Sequence, residues 1–172
     1  MAKLPDNEIP AERLRELLRY DPDTGHFTRL TVRRKGRWRA GDLTGHKANA
    51  RRYCLVSVDG EQYFAHRLAW LWMTGLWPTR NLDHINHCES DNRWGNLREA
   101  TKSQNGANMH RHRDNITGVK GVYYDKTRKK FVAHLMKNRQ VVLHKRFATI
   151  EDAHSAYVAK AKELFGEFHC AG

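Results

Sequence analysis

Cysteine is scarce in this sequence. Its three cysteines, Cys54, Cys88 and Cys170, are odd in number and lie far apart along the chain. This pattern predicts reduced thiols in a reducing compartment and argues against a disulfide framework. No Cys-x-x-Cys pair occurs, so a zinc site built mainly on cysteines is not expected. A mixed site that uses His87 and Cys88 stays open.

Long apolar segments are missing as well. No run approaches the about 20 apolar residues that a membrane-spanning helix needs. The first residues, MAKLPDNEIP, lack the apolar centre of a signal peptide. We therefore expect a protein that has no membrane association and works in the cytoplasm.

Acidic residues are few relative to basic ones. The 172 residues include 31 Lys and Arg against 19 Asp and Glu, which gives a formal net charge of +12. This excess favours a polyanionic partner, and nucleic acid is the leading interpretation. An anionic membrane surface is the alternative, but no long basic amphipathic helix is visible. The hydrophobic content of 40% supports a folded core, in one domain or in two small ones.

The first part of the chain alternates between predicted helices and strands. The leucines of IPAERLRELLRY form a helical stripe, and DPDTG ends that helix. Residues 27–65 indicate β-structure, in which YCLVSVDGEQYFA is typical of a hairpin with an Asp-Gly turn. AHRLAWLWMTG then predicts a buried helix that ends at Gly75. We interpret His66 in that helix as a core histidine, with a role near a substrate as the alternative.

A basic run lies inside this β-rich region. RLTVRRKGRWR, residues 29–39, has six basic residues and no acidic one. Basic side chains bind phosphates and an aromatic ring stacks on bases, so the run predicts DNA contacts. The expected contact residues are Arg33, Arg34, Arg37, Trp38 and Arg39. The alternative is a solvated basic hairpin in which the tryptophan is packed.

A polar stretch, NLDHINHCESDNRWGNLREATKSQNGAN, follows at residues 81–108. Its pattern predicts a strand, a long loop, a returning strand and a helix that begins with the capping box Thr101 and Gln104. Asp83 and Asn105 offer oxygen ligands for a hard divalent cation. On composition alone, ordinary turn chemistry stays an open alternative, because Asp, His and Asn are common in turns.

The same stretch resembles the HNH endonucleases of the ββα-metal type, especially the phage and intron-encoded homing group. The resemblance lies in "DH" followed by N-x-x-DNR-x-x-NLR-x-AT-x-x-QN. LRELLRYDPDTGHF, AGDLTG and DGEQYFAHRLAWLWMTGLWP also resemble the leader of free-standing phage members. The similarity thus extends from about residue 10 to residue 112.

The resemblance implies a role for each motif position. Asp83 and Asn105 would be the metal ligands, with Mg²⁺ as the expected ion and Mn²⁺ as the alternative. His84 would be the general base, and Asn96 would tie the loop to the hairpin. His87 departs from the family, because many relatives have glycine there; it is either a changed turn or an added phosphate contact. Arg93 and Arg98 are further candidates for phosphate contacts.

The remaining residues predict three strands and an amphipathic helix capped by Thr149. GV-x-GV, K-F-x-A, F-x-T-x-EDA-x-x-AY-x-x-A and GEF resemble the AP2 DNA-binding domain, which lays a three-stranded sheet in the major groove. Residues 120–146 contain nine basic residues and one acidic residue. The resemblance implies DNA-facing positions at Lys120, Tyr123, His134 and Met136. The expected phosphate contacts are Lys126, Arg128, Lys130, Arg139 and Arg146.

Together these patterns predict an α+β protein of two modules. Residues 1–113 would form a ββα-metal HNH nuclease module with an N-terminal helix and β-hairpin extension, and residues 114–172 an AP2-like domain. The expected function is a metal-dependent, homing-type endonuclease of phage type that acts on double-stranded DNA as a monomer. The alternatives are a DNA-binding regulator with an inactive nuclease site and a nonspecific or structure-selective nuclease. The target sequence, the number of strands cut and the role of His87 are left open.

Overall fold

The computed structural model describes residues 9–32, 38–47, 53–112 and 114–170. Within these ranges the helices are α1 (Ala11–Leu17), α2 (Ala65–Thr74), α3 (Lys102–Asn108) and α4 (Ile150–Phe165). The strands of the first half are β1 (Leu18–Tyr20), β2 (Phe27–Arg29), β3 (Leu43–Thr44), β4 (His46–Lys47), β5 (Cys54–Val58) and β6 (Glu61–Phe64). Those of the second half are β7 (Asn81–His84), β8 (Leu97–Ala100), β9 (Val122–Asp125), β10 (Lys130–Lys137) and β11 (Gln140–Phe147). This mixed α+β architecture is compatible with an HNH module.

The tertiary contacts divide the chain into two compact units, between Glu99 and Ala100. Helix α3 therefore belongs with the second unit in the structure, although it ends the polar stretch in the sequence. The functional boundary expected at residues 113/114 stays a prediction. Each unit is described by itself.

Among its described residues, the first unit contains three small sheets. Two are antiparallel, with strand orders β1-β2-β3 and β4-β5-β6, and the third, β7-β8, lies at the end of the unit. Helices α1 and α2 pack against these strands around one apolar core. Its largest fully buried side chains are Leu14, Leu18, Tyr20, Phe27, Val56, Leu68 and Leu71. The expected hairpin is confirmed, since β5 pairs with β6 around the Asp59-Gly60 turn.

Helix α1 is shorter than the leucine stripe predicts. The chain leaves the helix after Leu17, and Leu18–Tyr20 pairs with β2 as an antiparallel strand. In that strand Leu18 and Tyr20 are buried while Arg19 is exposed, which is the alternation of a half-buried strand. Tertiary pairing has here outweighed the local helical pattern. Helix α2 ends as expected, because Gly75 adopts φ +77° and donates its N–H to Leu71 O at 2.9 Å.

Helix α3 begins with the capping box that the sequence predicts. The Thr101 hydroxyl accepts from Gln104 N at 3.2 Å, and Gln104 Oε1 accepts from Thr101 N at 2.9 Å. Both bonds satisfy N–H groups that a helix start otherwise leaves unpaired. In chain order, β7, a loop, β8 and α3 thus follow one another as strand, loop, strand and helix.

The second unit consists of α3, a three-stranded antiparallel sheet in the order β11-β10-β9, and α4. The inward face of β10 carries Phe131, Ala133 and Leu135, which join the core formed with α4. Helix α4 begins at the expected cap, since Thr149 Oγ1 accepts from Asp152 N at 3.2 Å. Three strands and one helix are therefore confirmed here, while the AP2-like assignment stays a prediction.

One glycine of the GV-x-GV pattern has a clear steric reason. Gly121 has φ +73°, and a Cβ at this position would lie 2.0 Å from a ring carbon of Tyr157. No larger residue fits between the sheet and α4 without moving that ring. The motif glycine is thus required by packing inside the unit.

Candidate active site

The polar stretch places an acid and a base next to each other on a buried strand. Asp83 and His84, the last two residues of β7, are each 5% exposed. Burial of neighbouring polar side chains requires partners on both faces of the strand. The structure provides different partners for the two residues.

Asp83 forms a buried ion pair with Arg98 of β8. Arg98 Nε lies 3.0 Å from Asp83 Oδ2, and the two side chains are 13% and 5% exposed. The guanidinium thereby offsets a carboxylate charge that is costly to bury alone. Arg98 thus lies beside the predicted metal ligand, and its contact with phosphate stays a prediction.

His84 lies between an amide and a group of aromatic rings. Its Nε2 is 3.3 Å from Asn92 Oδ1, and its ring centroid is 5.3 Å from His66 in an edge-on arrangement and 6.0 Å from Tyr53. Burial lowers the pKa of His84, although the hydrogen bond with Asn92 and the nearby Asp83 act in the opposite direction. The imidazole is therefore neutral at about pH 7, as a general base must be.

His66, at the start of α2, is the second imidazole of this group. It is 8% exposed, and its Nδ1 has no hydrogen-bond partner among the described residues. Burial, together with the nearby His84 and Arg67, lowers the pKa of His66 to about 3. The side chain is a neutral core histidine, as the sequence suggested, but it contacts the predicted base.

Asn96 ties the loop between β7 and β8 together. Its Oδ1 accepts from Asn86 N at 3.0 Å, and its Nδ2 donates to Asn86 Oδ1 at 2.9 Å and to Asp91 O at 2.8 Å. Its backbone oxygen also accepts from Ile85 N at 3.0 Å. These bonds match the loop-tying arrangement that the resemblance implies for Asn96. Its importance for activity stays a prediction.

The same loop contains a strained turn at His87, which has φ +62°. Residues other than glycine rarely adopt this left-handed backbone conformation. The glycine expected from the family would occupy it without strain, so the geometry favours a changed turn at His87. Arg93, further along the loop, is bound by Asp91 at 2.6 Å.

Two elements of the N-terminal extension contact this loop. Tyr20 donates its hydroxyl proton to Asn92 O at 2.6 Å, and Trp94 N donates to Pro22 O at 2.9 Å. The sequence did not predict these contacts, which join residues about seventy positions apart. Asn92, whose Oδ1 lies beside His84 Nε2, is a neighbour of the predicted base that sequence reasoning missed.

The other predicted ligand, Asn105, lies on α3 in the second unit and is half-buried. Its backbone N–H donates to Thr101 O and its carbonyl accepts from Met109 N, as in a regular helix. Its role as a ligand stays a prediction.

The predicted DNA-contacting residues of the second unit are mostly exposed. Lys126, Arg128, Lys130, Arg139 and Arg146 are all exposed, and so is Tyr123 at 45%. His134 is half-buried and meets His144 of β11 edge-on at 5.9 Å. Two of the arginines, Arg128 and Arg146, lie 3.6 and 3.5 Å from Asp125.

Lys120 requires a correction. It is 9% exposed, and its Nζ donates to Ala107 O at 2.6 Å and also to Met109 O. Burial lowers the pKa of this lysine. Because its amine is bound by carbonyls at the end of α3, Lys120 does not present its charge on a DNA-facing surface, and we remove it from the predicted contacts.

The basic run of the first unit is described only in part. Arg33, Arg34 and Arg37 lie outside the described residues. Trp38 is half-buried, with the Arg29 guanidinium 4.4 Å from its ring centroid. Arg39 is exposed, and its backbone N–H donates to Asp42 Oδ2 at 2.7 Å. The packed tryptophan fits the alternative interpretation of this run at least as well as base stacking.

Part of the chain is similar to a known protein family. Residues 63–107 match the family model described as HNH endonuclease. This segment supports an HNH nuclease. The matched residues include Asp83, His84, Asn96 and Asn105. No curated protein and no solved structure matches the chain. In the part of the chain that the structure describes, no helix has the length and apolar character to cross a bilayer.

Proposed function

We propose that this protein is a metal-dependent DNA endonuclease that hydrolyses phosphodiester bonds with His84 as general base. The observation that carries the proposal is the buried Asp83–His84 pair, which lies within the segment that matches the HNH endonuclease family. The net charge of +12 supports a polyanionic substrate. Double-stranded DNA is the substrate that we propose.

The donor set fits a hard divalent cation. Asp83 offers a carboxylate and Asn105 an amide oxygen, which are ligand types that Mg²⁺ and Mn²⁺ prefer. A divalent ion bound by these residues would neutralise charge that develops on the phosphate and the leaving oxygen. Mg²⁺ is the ion we propose, with Mn²⁺ as the alternative.

His84 supplies the proton acceptor. Its neutral imidazole takes a proton from water, which then attacks phosphorus in line with the leaving oxygen. The family resemblance implies 3′-hydroxyl and 5′-phosphate ends. Because the ring is buried beside Tyr53 and His66, its orientation is restricted before the substrate arrives.

The second unit is proposed to hold the DNA through its exposed basic sheet. The exposed lysines and arginines of β9, β10, β11 and their turns would contact phosphates, which supply affinity without sequence information. Tyr123, His134 and Met136 are the proposed base contacts. With an AP2-like surface of this kind, we propose a site-preferring, homing-type enzyme of phage type that acts as a monomer in the host cytoplasm.

Cleavage of supercoiled plasmid tests the activity. We expect Mg²⁺-dependent nicked or linear product, which EDTA suppresses and which the His84→Ala variant does not form. His26→Ala serves as a matched control, since His26 is an exposed histidine of the same unit. DNA binding without any metal-dependent cleavage would instead establish the regulatory alternative.

Mapping the cut positions on a phage genome tests the homing type. We expect a small number of preferred positions. Uniform cutting over the genome would establish the nonspecific alternative and contradict the homing proposal.

A further inference from the structure

The surroundings of His84 contain a side chain with one well-defined orientation. Asn92 is 4% exposed, and its Nδ2 donates to Ser90 O at 3.4 Å. This bond distinguishes the two ends of the amide, so that Oδ1 is the end turned to His84. The 3.3 Å contact between Asn92 Oδ1 and His84 Nε2 is then one in which the imidazole donates.

This direction decides which ring nitrogen carries the proton. A neutral imidazole has one N–H and one lone pair. If Nε2 donates to Asn92, the lone pair lies on Nδ1. Under the proposed function, Nδ1 is therefore the atom that accepts the proton from water.

The backbone of Asn92 is held from the other side by the turn Tyr20–Gly25, which we call the N-terminal brace. Tyr20, itself 2% exposed, donates its hydroxyl proton to Asn92 O at 2.6 Å. Pro22 O accepts from Trp94 N at 2.9 Å. Residues 92–94 are thus bound to the brace at two points, through a bond that Asn92 O accepts and a bond that Trp94 N donates.

Gly25, the last residue of the brace, lies close to the backbone of Asn92 and Arg93. It has φ +74°, and a Cβ placed there would lie 2.5 Å from Arg93 N and 2.6 Å from Asn92 C. Those are backbone atoms, which cannot rotate away as a flexible side chain could. Any side chain at position 25 must therefore displace the peptide between Asn92 and Arg93.

We propose that Asn92 positions the imidazole of His84 in the Nε2–H tautomer, and that the N-terminal brace holds Asn92 in place. This inference rests on the proposed function for its catalytic consequence, but not for the tautomer itself. Asn92 is a positioning residue, because it acts through His84. The brace gives the N-terminal extension a second role, distinct from DNA contact.

Nitrogen-15 NMR of histidine-labelled, metal-free protein tests the tautomer directly. We expect a protonated Nε2 for His84, assigned by loss of its signals in His84→Ala, and a mixture of tautomers in Asn92→Ala. A protonated Nδ1 for His84 in the unaltered protein would overturn the inference. An unchanged tautomer in Asn92→Ala would also overturn it.

Cleavage kinetics test the brace. We expect Gly25→Ala to lower kcat by about 10- to 100-fold, with little change in KM, because a small displacement of the base is enough to slow the reaction. Gly75→Ala is the matched control, since Gly75 has a similar φ of +77° but nothing within 4 Å of its Cβ position. Equal losses of kcat in both variants would show a general folding effect and sink the role of the brace.

Tyr20→Phe offers a milder variant in case Gly25→Ala fails to fold. It removes only the hydroxyl that binds Asn92 O, and we expect a smaller loss of kcat together with a shift of the His84 nitrogen signals. Unchanged His84 signals would overturn the brace. If the unaltered protein does not cleave DNA at all, the proposed function fails, while the NMR measurements still decide the roles of Asn92 and the brace.

Discussion

Arg98 and Asp83 form a buried ion pair across β8 and β7, in which Nε lies 3.0 Å from Oδ2. The pair places a carboxylate and a guanidinium next to the predicted base, at a position where Asp83 and His84 are each 5% exposed. A cation from the protein therefore already accompanies the carboxylate that is expected to bind a metal ion.

Removal of this cation leaves a buried charge uncompensated. We expect Arg98→Met to lower the free energy of unfolding by about 3–5 kcal/mol. Urea denaturation in EDTA measures the loss. Added Mg²⁺ is expected to restore part of the stability of Arg98→Met, because binding to the native state alone stabilises it. The double variant Asp83→Asn/Arg98→Met is the control. If Mg²⁺ stabilised it as much as it stabilises Arg98→Met, the ion would not bind at Asp83.

Replacement of His84, the proposed general base, is expected to affect DNA cleavage but not DNA binding. We expect His84→Ala to abolish cleavage, while its affinity for DNA in EDTA stays within about threefold of the unaltered protein, since His84 is buried and contributes no surface charge. Gel-shift titration at fixed salt measures the affinity. Parallel loss of affinity and cleavage would identify His84 as a structural residue.

The buried His66 predicts acid sensitivity. Its pKa falls from 6.5 to about 3 on folding, so between these values the unfolded chain binds more protons than the native one. Stability from this group is fully present above about pH 6.5 and is lost as the pH falls, by at most about 1.4 kcal/mol per pH unit.

His66→Phe is expected to flatten this dependence, because phenylalanine fills the space without titrating. Denaturation midpoints measured at several pH values from about 4 to 7 report the slope. An unchanged slope in His66→Phe would assign the acid sensitivity to other groups. Since stability is the readout, this prediction does not depend on nuclease activity.

Lys120 and Lys130 of the second unit are expected to contribute to different properties, Lys120 to stability and Lys130 to DNA binding. Lys120→Met should lower the free energy of unfolding by about 1–3 kcal/mol, because carbonyls at the end of α3 lose their donor. Lys130→Met, at an exposed position, should leave stability unchanged but reduce the dependence of log Kd on log salt by about one unit. An equal reduction of the salt dependence in Lys120→Met and Lys130→Met would show that the Lys120 amine contacts phosphate and is not held by the carbonyls of α3.

The sequence was most informative where a residue's role is local. The capping box at Thr101, the αL end of α2 at Gly75 and the cap at Thr149 depend on neighbours within four positions, and the structure confirms each. The fixed spacing of the HNH-like motif likewise selected the residues that tie the loop, above all Asn96. Such patterns are visible because the interacting groups are close in the chain.

Contacts between distant residues could not be predicted in the same way. Nothing in the local pattern distinguishes Tyr20 as the partner of Asn92, or Lys120 as a buried donor to α3, because both depend on how elements pack. Leu18 was misassigned for the same reason, since strand pairing outweighed its helical spacing. DPDTG indicated the end of the first helix, but the requirement for Gly25 became visible only with the backbone of Asn92 and Arg93 beside it.

The division of the chain between Glu99 and Ala100 has a consequence for how such a protein can change over time. The family match runs to residue 107, yet Ala107 belongs to the core of the second unit, and Lys120 donates to its carbonyl. The matched segment thus ends inside a helix that packs with the sheet and α4 of the second unit. A recombination event that exchanged the sequence after residue 113 would therefore have to supply a new packing partner for α3, and not merely a new basic sheet.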